Sequence, residues 1–180
     1  MTITVVSDAS PLIYFAKMNA LELLAQVLGP VSIPPAVYRE TVEAGRRLRE
    51  PDANRIAKAV EGQILARLTL TGQETLLADR ISADPRLGRG ECEVIACAAL
   101  RRFKALLHDK KARRIASAYN VPTMQAADVL FLALLRRHIS LKKFKILLRH
   151  LAALTGINSA TLLEREALAE EIAIQLNIQE

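Results

Sequence analysis

Short runs of β-branched and aliphatic residues recur along this chain, and each is followed by a longer stretch with helical spacing. Ile3 to Val6, Val31 to Ile33, Ile64 to Leu70 and Ala105 to Leu107 are the strand-like runs, and Val121-Pro122-Thr123 is a brief extended piece. No Asn-Gly or Asp-Gly pair joins two of them, so there is no hairpin signal. Strands that alternate with helices form a parallel sheet, because parallel neighbours need a helical crossover. Such a sheet is covered on both faces, which explains why the runs are apolar throughout instead of alternating.

Between the runs, apolar residues recur every three or four positions. Ser10-Pro11 opens one such pattern, with Leu12, Phe15, Ala16, Leu21, Leu24 and Leu28 on one face until Gly29-Pro30 stops it. Pro34-Pro35 starts a second helix, which carries Val37, Glu40 and Thr41 and ends near Gly45. Residues 46 to 63 read as charged and mostly helical. A helix runs from Gly72 to about Ile81, and Ser82 to Gly90, with Pro85, Gly88 and Gly90, reads as a loop. Helices follow over Glu91 to Arg102, Lys110 to Tyr119, Ala126 to Arg137 and Leu141 to Leu154. An amphipathic helix begins at Ser159. The simplest organisation is one α/β domain over residues 1–154, with a helical C-terminal extension over 155–180 that packs on the domain or on a partner.

The totals fit this architecture. A chain of 180 residues buries a core without disulfides or other staples, and half of this one is hydrophobic. Trp is absent and aromatics are scarce, so the core is aliphatic. No long uncharged apolar run argues for a spanning helix. The first ten residues lack the positive charge of a signal peptide and reach an acid at Asp8, so they read as a first strand. Cys92 and Cys97 lie outside any zinc-type spacing and read as buried small hydrophobes of a reducing, cytoplasmic compartment. A net charge of +6 makes a polyanionic partner plausible without naming one.

Against that positive background, four acids hold particular places. Asp8 follows the first strand and Asp109 follows the run Ala105 to Leu107. Glu40 lies in the helix after the second strand, and Glu91 opens a helix directly after Gly90. In open parallel sheets, ligands bind beyond the carboxyl ends of the strands. Clustered carboxylates repel one another unless a cation lies between them, and hard cations such as Mg²⁺ and Mn²⁺ select carboxylate oxygen. Each acid has a second reading: Asp8 and Asp109 as caps of the helices that follow, Glu91 as a charge at a helix N-terminus, and Glu40 as a solvated helix residue.

The strings SDASPLIYFAK, IPPAVYRET, GRGECEVIACA and LLHDKKARRIA, in this order and spacing, resemble successive motifs of the PIN-domain superfamily. They are most similar to its branch with GE-x-x-x-I and D-x-x-x-R signatures, related to VapC-type toxins, over about residues 3–150. The resemblance implies a Rossmann-like three-layer α/β/α fold with a short parallel sheet. It also implies a Mg²⁺- or Mn²⁺-dependent endoribonuclease, a hydrolase acting on RNA. It further suggests the toxin of a toxin–antitoxin pair, with a small antitoxin protein as partner and a homodimeric assembly. Asp8, Glu40, Glu91 and Asp109 take the places of the catalytic, metal-binding acids, with Glu43 and Glu93 as nearby rivals for the second and third. Relatives often carry two adjacent acids at the fourth motif, where this chain has His108 and Asp109. That departure keeps a catalytically weak or inactive nucleic-acid-binding or protein-interaction module as the alternative. The absence of G-x-G-x-x-G and of a P-loop counts against a nucleotide-binding α/β enzyme.

Accessory candidates are Ser10, which orients a metal-bound water or caps the first helix, His108, and Asp128, which is an accessory acid or a cap. Lys110 and Arg113 flank the fourth motif and are RNA-binding candidates, Arg113 being equally placed for an ion pair with Asp109. Lys142 and Lys143 belong to a basic helix that reads as an RNA-tracking face or as a solvated surface.

Overall fold

A computed structural model describes residues 4–178 of the chain. Five short strands form one all-parallel sheet in the order β3-β2-β1-β4-β5: β1 (Val5–Ser7), β2 (Val31–Ile33), β3 (Leu65–Arg67), β4 (Lys104–Leu106) and β5 (Thr123–Met124). The expected start of the first strand at Ile3 lies outside the described residues. Val5, Val6, Val31 and Ile33 are fully buried, as a sheet covered on both faces requires.

The helices are α1 (Ala9–Lys17), α2 (Leu21–Leu28), α3 (Pro35–Tyr38), α4 (Gly45–Arg47), α5 (Pro51–Glu61), α6 (Gly72–Ile81), α7 (Arg89–Arg101), α8 (Lys110–Ala118), α9 (Ala126–Leu135), α10 (Leu141–Thr155) and α11 (Ser159–Leu176). A π-helical stretch, Arg39–Ala44, joins α3 to α4 without a break. On one side, α1 packs on α2, α5 and α9; on the other, α7 packs on α6, α8 and the strands β1 and β4. The result is the three-layer α/β/α architecture expected. α7 is deeply sunk, with Gly90, Cys92 and every residue from Glu93 to Ala98 buried. Both cysteines are free and buried, as read from their spacing. The C-terminal helices stack outward: Phe131 and Phe144 join α9 to α10 with ring centroids 4.8 Å apart, and Arg149 on α10 pairs with Glu166 on α11. Among the described residues no helix is long and apolar enough to cross a membrane.

Several boundaries differ from the sequence reading: β4 is Lys104–Leu106 instead of Ala105 to Leu107, β5 is Thr123–Met124 instead of Val121 to Thr123, and α9 ends at Leu135, short of Arg137. The apolar stripe from Leu12 to Leu28 is two helices, because Asn19 takes a left-handed conformation (φ 53°) and turns the chain between them. The helix begun at Pro35 does not stop at Gly45 but continues to Arg47. The third strand is confined to Leu65–Arg67: the Leu68 N–H makes the last bond to β2, to the Ile33 carbonyl at 2.9 Å, and Leu68 and Leu70 are only partly buried. The loop after α6 ends at Gly88, not Gly90, so α7 starts two residues before Glu91.

Gly45 marks a tight crossing. A Cβ there would lie 2.8 Å from the Cβ of Ala53 on α5, although the backbone of Gly45 is ordinarily helical (φ −59°). Helix propensity alone favours Ala over Gly by about 1 kcal/mol, whereas overpacking costs about 1–3 kcal/mol. Gly45→Ala is therefore expected to lower the melting temperature, and a rise in Tm would show that α4 and α5 can move apart freely.

Candidate metal centre

The strand order reverses between β1 and β4. β1 continues through α1 and α2 to β2 on one side of it, and β4 continues through α8 to β5 on the other. A crevice opens at such a switch point beyond the carboxyl ends of the two strands. Asp8 leaves β1 there, its backbone N–H donating to the Leu106 carbonyl of β4 at 3.0 Å. His108 and Asp109 follow β4 at the same edge.

Asp8 is 5% exposed. It stands at the N-cap position of α1, yet its side chain makes no capping hydrogen bond. Burial pushes its carboxyl up to about 6; the nearby N–H groups of Ala9 and Ser10 pull it down, though they make no capping bond, and the charges of Glu40 and Asp109 add to the rise. Glu40 lies on the π-helical stretch. The residue as a whole is exposed, yet its Oε2 reaches the Gly90 backbone, and burial first and then the charge of Glu91 raise its carboxyl above the usual range. Gly90 brings the two together. A Cβ at Gly90 would meet Asp8 Oδ1 at 3.3 Å, Val37 Cγ2 at 3.3 Å and Glu40 Oε2 at 3.4 Å. A side chain there would press on both carboxylates, so the bare backbone of α7 forms one wall of the acidic pocket.

The remaining two acids are partly engaged. Glu91 Oε2 accepts the Gly88 N–H at 2.9 Å, holding the start of α7. Burial raises its carboxyl, as do the charges of Asp8 and Asp109, against the lowering effect of that hydrogen bond. Asp109 caps α8: its Oδ1 accepts from Lys111 N at 2.7 Å and Ala112 N at 2.9 Å, and these bonds hold its carboxyl below the usual range. The helix-start reading of both residues therefore holds, and their charges also act on the other acids. In each, the second oxygen makes no hydrogen bond among the described residues. No group of three or more His, Cys, Asp or Glu side chains among the described residues stands close enough to enclose a metal ion as the side chains lie. Helix N-terminal N–H groups hold one oxygen each of Glu91 and Asp109.

The rivals separate cleanly. Glu43 is exposed, and Glu93 is buried but turned to the Ala36 N–H and to Arg89. Ser10 does not cap the first helix, because Asp8 holds that position; Ser10 lies in the first turn, one turn before Tyr14. Asp128 accepts the Gln125 N–H at 2.7 Å and caps α9, and it is not among the charges that shift the other acids. Arg113 makes no ion pair with Asp109: its guanidinium donates to the His108 carbonyl. Lys110 is exposed on α8 beside the site. Lys142 and Lys143 are exposed on α10, which packs on α9 and α11, and on that helix Lys145 and Arg149 are paired with Glu170 and Glu166.

Sequence reasoning passed over Tyr14 as a member of the site. Its ring meets His108 edge-on, with centroids 5.1 Å apart. Burial raises its phenol, with Ser10 opposing and Asp8 adding to the shift. Burial, and then the charge of Arg113, lowers the His108 imidazole, so the side chain beside Asp109 favours its neutral form. The four-residue spacing of Ser10 and Tyr14 was the available signal.

An all-parallel three-layer fold with coupled carboxylates at its switch point defines an acidic-edge, Rossmann-like class of protein. Within that class, the chain belongs to the PIN-domain family: the DUF3368 family model, described as a PIN domain, matches residues 4–172. PIN domains are generally metal-dependent nucleases. No curated protein is similar enough to match the chain.

Proposed function

We propose that this protein is a Mg²⁺- or Mn²⁺-dependent endoribonuclease that hydrolyses RNA phosphodiester bonds, with Asp8, Glu40, Glu91 and Asp109 as its acidic centre. The observation that carries this reading is Asp8, a buried carboxylate at the switch point with no capping bond and with Glu40 turned toward the same wall. Four oxygen-donor side chains and no thiolate suit a hard divalent cation. Asp8 and Glu40 would hold such an ion, and Glu91 and Asp109 would offer their unbonded oxygens. When bound, the ion supplies an acidified water and neutralises charge at the phosphoryl group.

Around the acids, the protein's own cations bind and orient the strand. Lys110, Lys111 and Arg114 are exposed on α8 and form no ion pair among the described residues, so they attract phosphate directly. Arg113 stiffens the turn after β4 through the His108 carbonyl instead of meeting substrate. The paired charges on α10 make Lys142 and Lys143 the weaker candidates. The motif resemblance supports a cytoplasmic toxin role, a small antitoxin partner and a homodimer. We take residues 155–180 as an extension of the nuclease domain, consistent with the packing of α11 on α9 and α10.

A second reading, a catalytically weak or inactive module, is favoured by the capping bonds of Glu91 and Asp109 and by His108 at the fourth motif. Two measurements separate them. Calorimetric titration with Mn²⁺ detects binding under the first reading and none under the second. Cleavage of RNA with Mg²⁺ or Mn²⁺ should be lost in Asp8→Asn and Asp109→Asn; variants as active as wild type would refute the assignment.

A further inference from the structure

Glu93 is the only acid of α7 whose carboxylate crosses to another helix among the described residues. It is 2% exposed, and its Oε2 accepts the backbone N–H of Ala36, 57 residues away in sequence, at 2.8 Å. The other oxygen accepts from Arg89 Nε at 3.0 Å, and Arg39 Nη2 stands 3.8 Å from it. A buried carboxylate is costly unless paired and hydrogen-bonded, and here every partner comes from one of two helical segments, α7 or the one that starts at Pro35.

The start of that second segment needs such an acceptor. Pro34 at its N-cap offers no side-chain bond, and Pro35 has no N–H. Ala36 N–H is therefore an early orphan donor of the segment, and Glu93 satisfies it from outside. Glu40 lies four residues beyond Ala36, so the face pinned at Ala36 is the face that carries Glu40. On α7, Gly90 presents backbone to Val37 and Glu40, letting the segments close to contact distance. Glu91 lies between Gly90 and Glu93 in sequence and turns the other way, to Gly88.

We infer that Glu93 is a positioning residue that clasps the helix bearing Glu40 to the helix bearing Glu91, fixing the distance between two acids of the proposed centre. The inference rests on the metal-site reading for its functional meaning, but the clasp itself is testable without metal. It acts through one hydrogen bond of defined reach. Glu93→Asp keeps the charge and withdraws the oxygen by one methylene. Glu93→Gln keeps the reach and an oxygen, and gives up the charge.

The experiment compares the two variants with wild type in amide hydrogen exchange over residues 34–44, without metal, and in Mn²⁺ affinity by calorimetry. Supporting ligands around metal sites typically shift affinity by at least tenfold. Glu93→Asp should speed exchange in this segment and weaken Mn²⁺ binding by about that factor. Glu93→Gln should stay close to wild type in both, even if its Tm falls through loss of the arginine pairing. The inference is overturned if Glu93→Gln loosens the segment more than Glu93→Asp, or if neither variant changes exchange there. Absence of Mn²⁺ binding by the wild type would remove the metal-site reading, while the exchange comparison would still decide the clasp.

Discussion

Replacing Asp8 with Asn should abolish cleavage and at the same time make the protein harder to unfold at neutral pH. The two effects have one cause. In the native state burial, assisted by Glu40 and Asp109, raises this carboxyl from 3.8 to about 6. At pH 7 the group is nonetheless ionised, and the fold carries a charge it disfavours. A shift of this size corresponds to about 3 kcal/mol at 1.36 kcal/mol per pH unit, an upper bound because Asn leaves a polar amide in the same place. For a chain of this length, 1 kcal/mol moves Tm by about 2–4 °C, so a rise of several degrees is expected. Loss of a ligand that holds the ion should remove several kcal/mol of transition-state stabilisation, or about a thousandfold in rate. A variant that is both inactive and less stable would place Asp8 in the fold's support instead of its chemistry.

The second large effect joins pH and metal. Because the native state binds the Asp8 proton more tightly than the unfolded chain, stability should fall as pH rises from about 4 to about 6, by up to about 3 kcal/mol from this group. Glu40 and Glu91 are raised too and act with the same sign. Glu74 acts oppositely and in a lower window. Its bonds with Arg101 hold it at about 2, so its contribution is complete above the ordinary Glu range and is lost only as pH falls toward 2. His108, lowered by burial, acts against the raised acids as pH rises toward 6.5, so the fall between pH 5 and 7 is that of three raised carboxyls less the gain from one imidazole. Mn²⁺ competes with the proton and should reverse the loss, with about 2.7 kcal/mol of stabilisation at a hundred times Kd. Thermal melts with Mn²⁺ and with EDTA should differ by several degrees at pH 7 and little at pH 5. Equal differences at both pH values, or none at pH 7, would count against a cation among these carboxylates.

The layered fold was legible because each strand is a short apolar run and each crossover carries helical spacing. The ends were harder. Asn19 breaks a stripe whose hydrophobic period continues across it, and periodicity is blind to one residue in the left-handed region. Arg89 and Gly90 look like loop residues, yet they begin α7, because Gly88 supplies the turn and Gly90 is needed for closeness to Asp8 and Glu40. The acids themselves stand where strand-end reasoning puts them. What spacing along the chain could not reveal was how they divide their work. Asp8 has no capping bond, Asp109 and Glu91 each give one oxygen to a helix start, and Glu93 reaches a helix 57 residues away. Those are consequences of three-dimensional reach. Equally, Ser10 fits a cap by spacing but lies inside α1, which begins at Ala9, and Arg113 fits a partner of Asp109 but turns to the nearer His108 carbonyl.

The wide winding from Arg39 to Ala44 sets a rule about chain length in this part of the molecule. A π-helical turn accommodates one residue more than an α-helical turn, so here the backbone stores a local surplus. Glu40 must meet Gly90 at one end of the stretch while Gly45 must meet Ala53 at the other. Deleting a single residue between them would let the helix rewind to ordinary α geometry with little loss of backbone bonding. A wide turn with the extra residue and an ordinary turn without it both complete one full rotation, so the faces that carry Glu40 and Gly45 would keep their relative direction. The segment therefore holds one residue in reserve, and a single deletion is easier for the protein to absorb here than in the regular winding of α7.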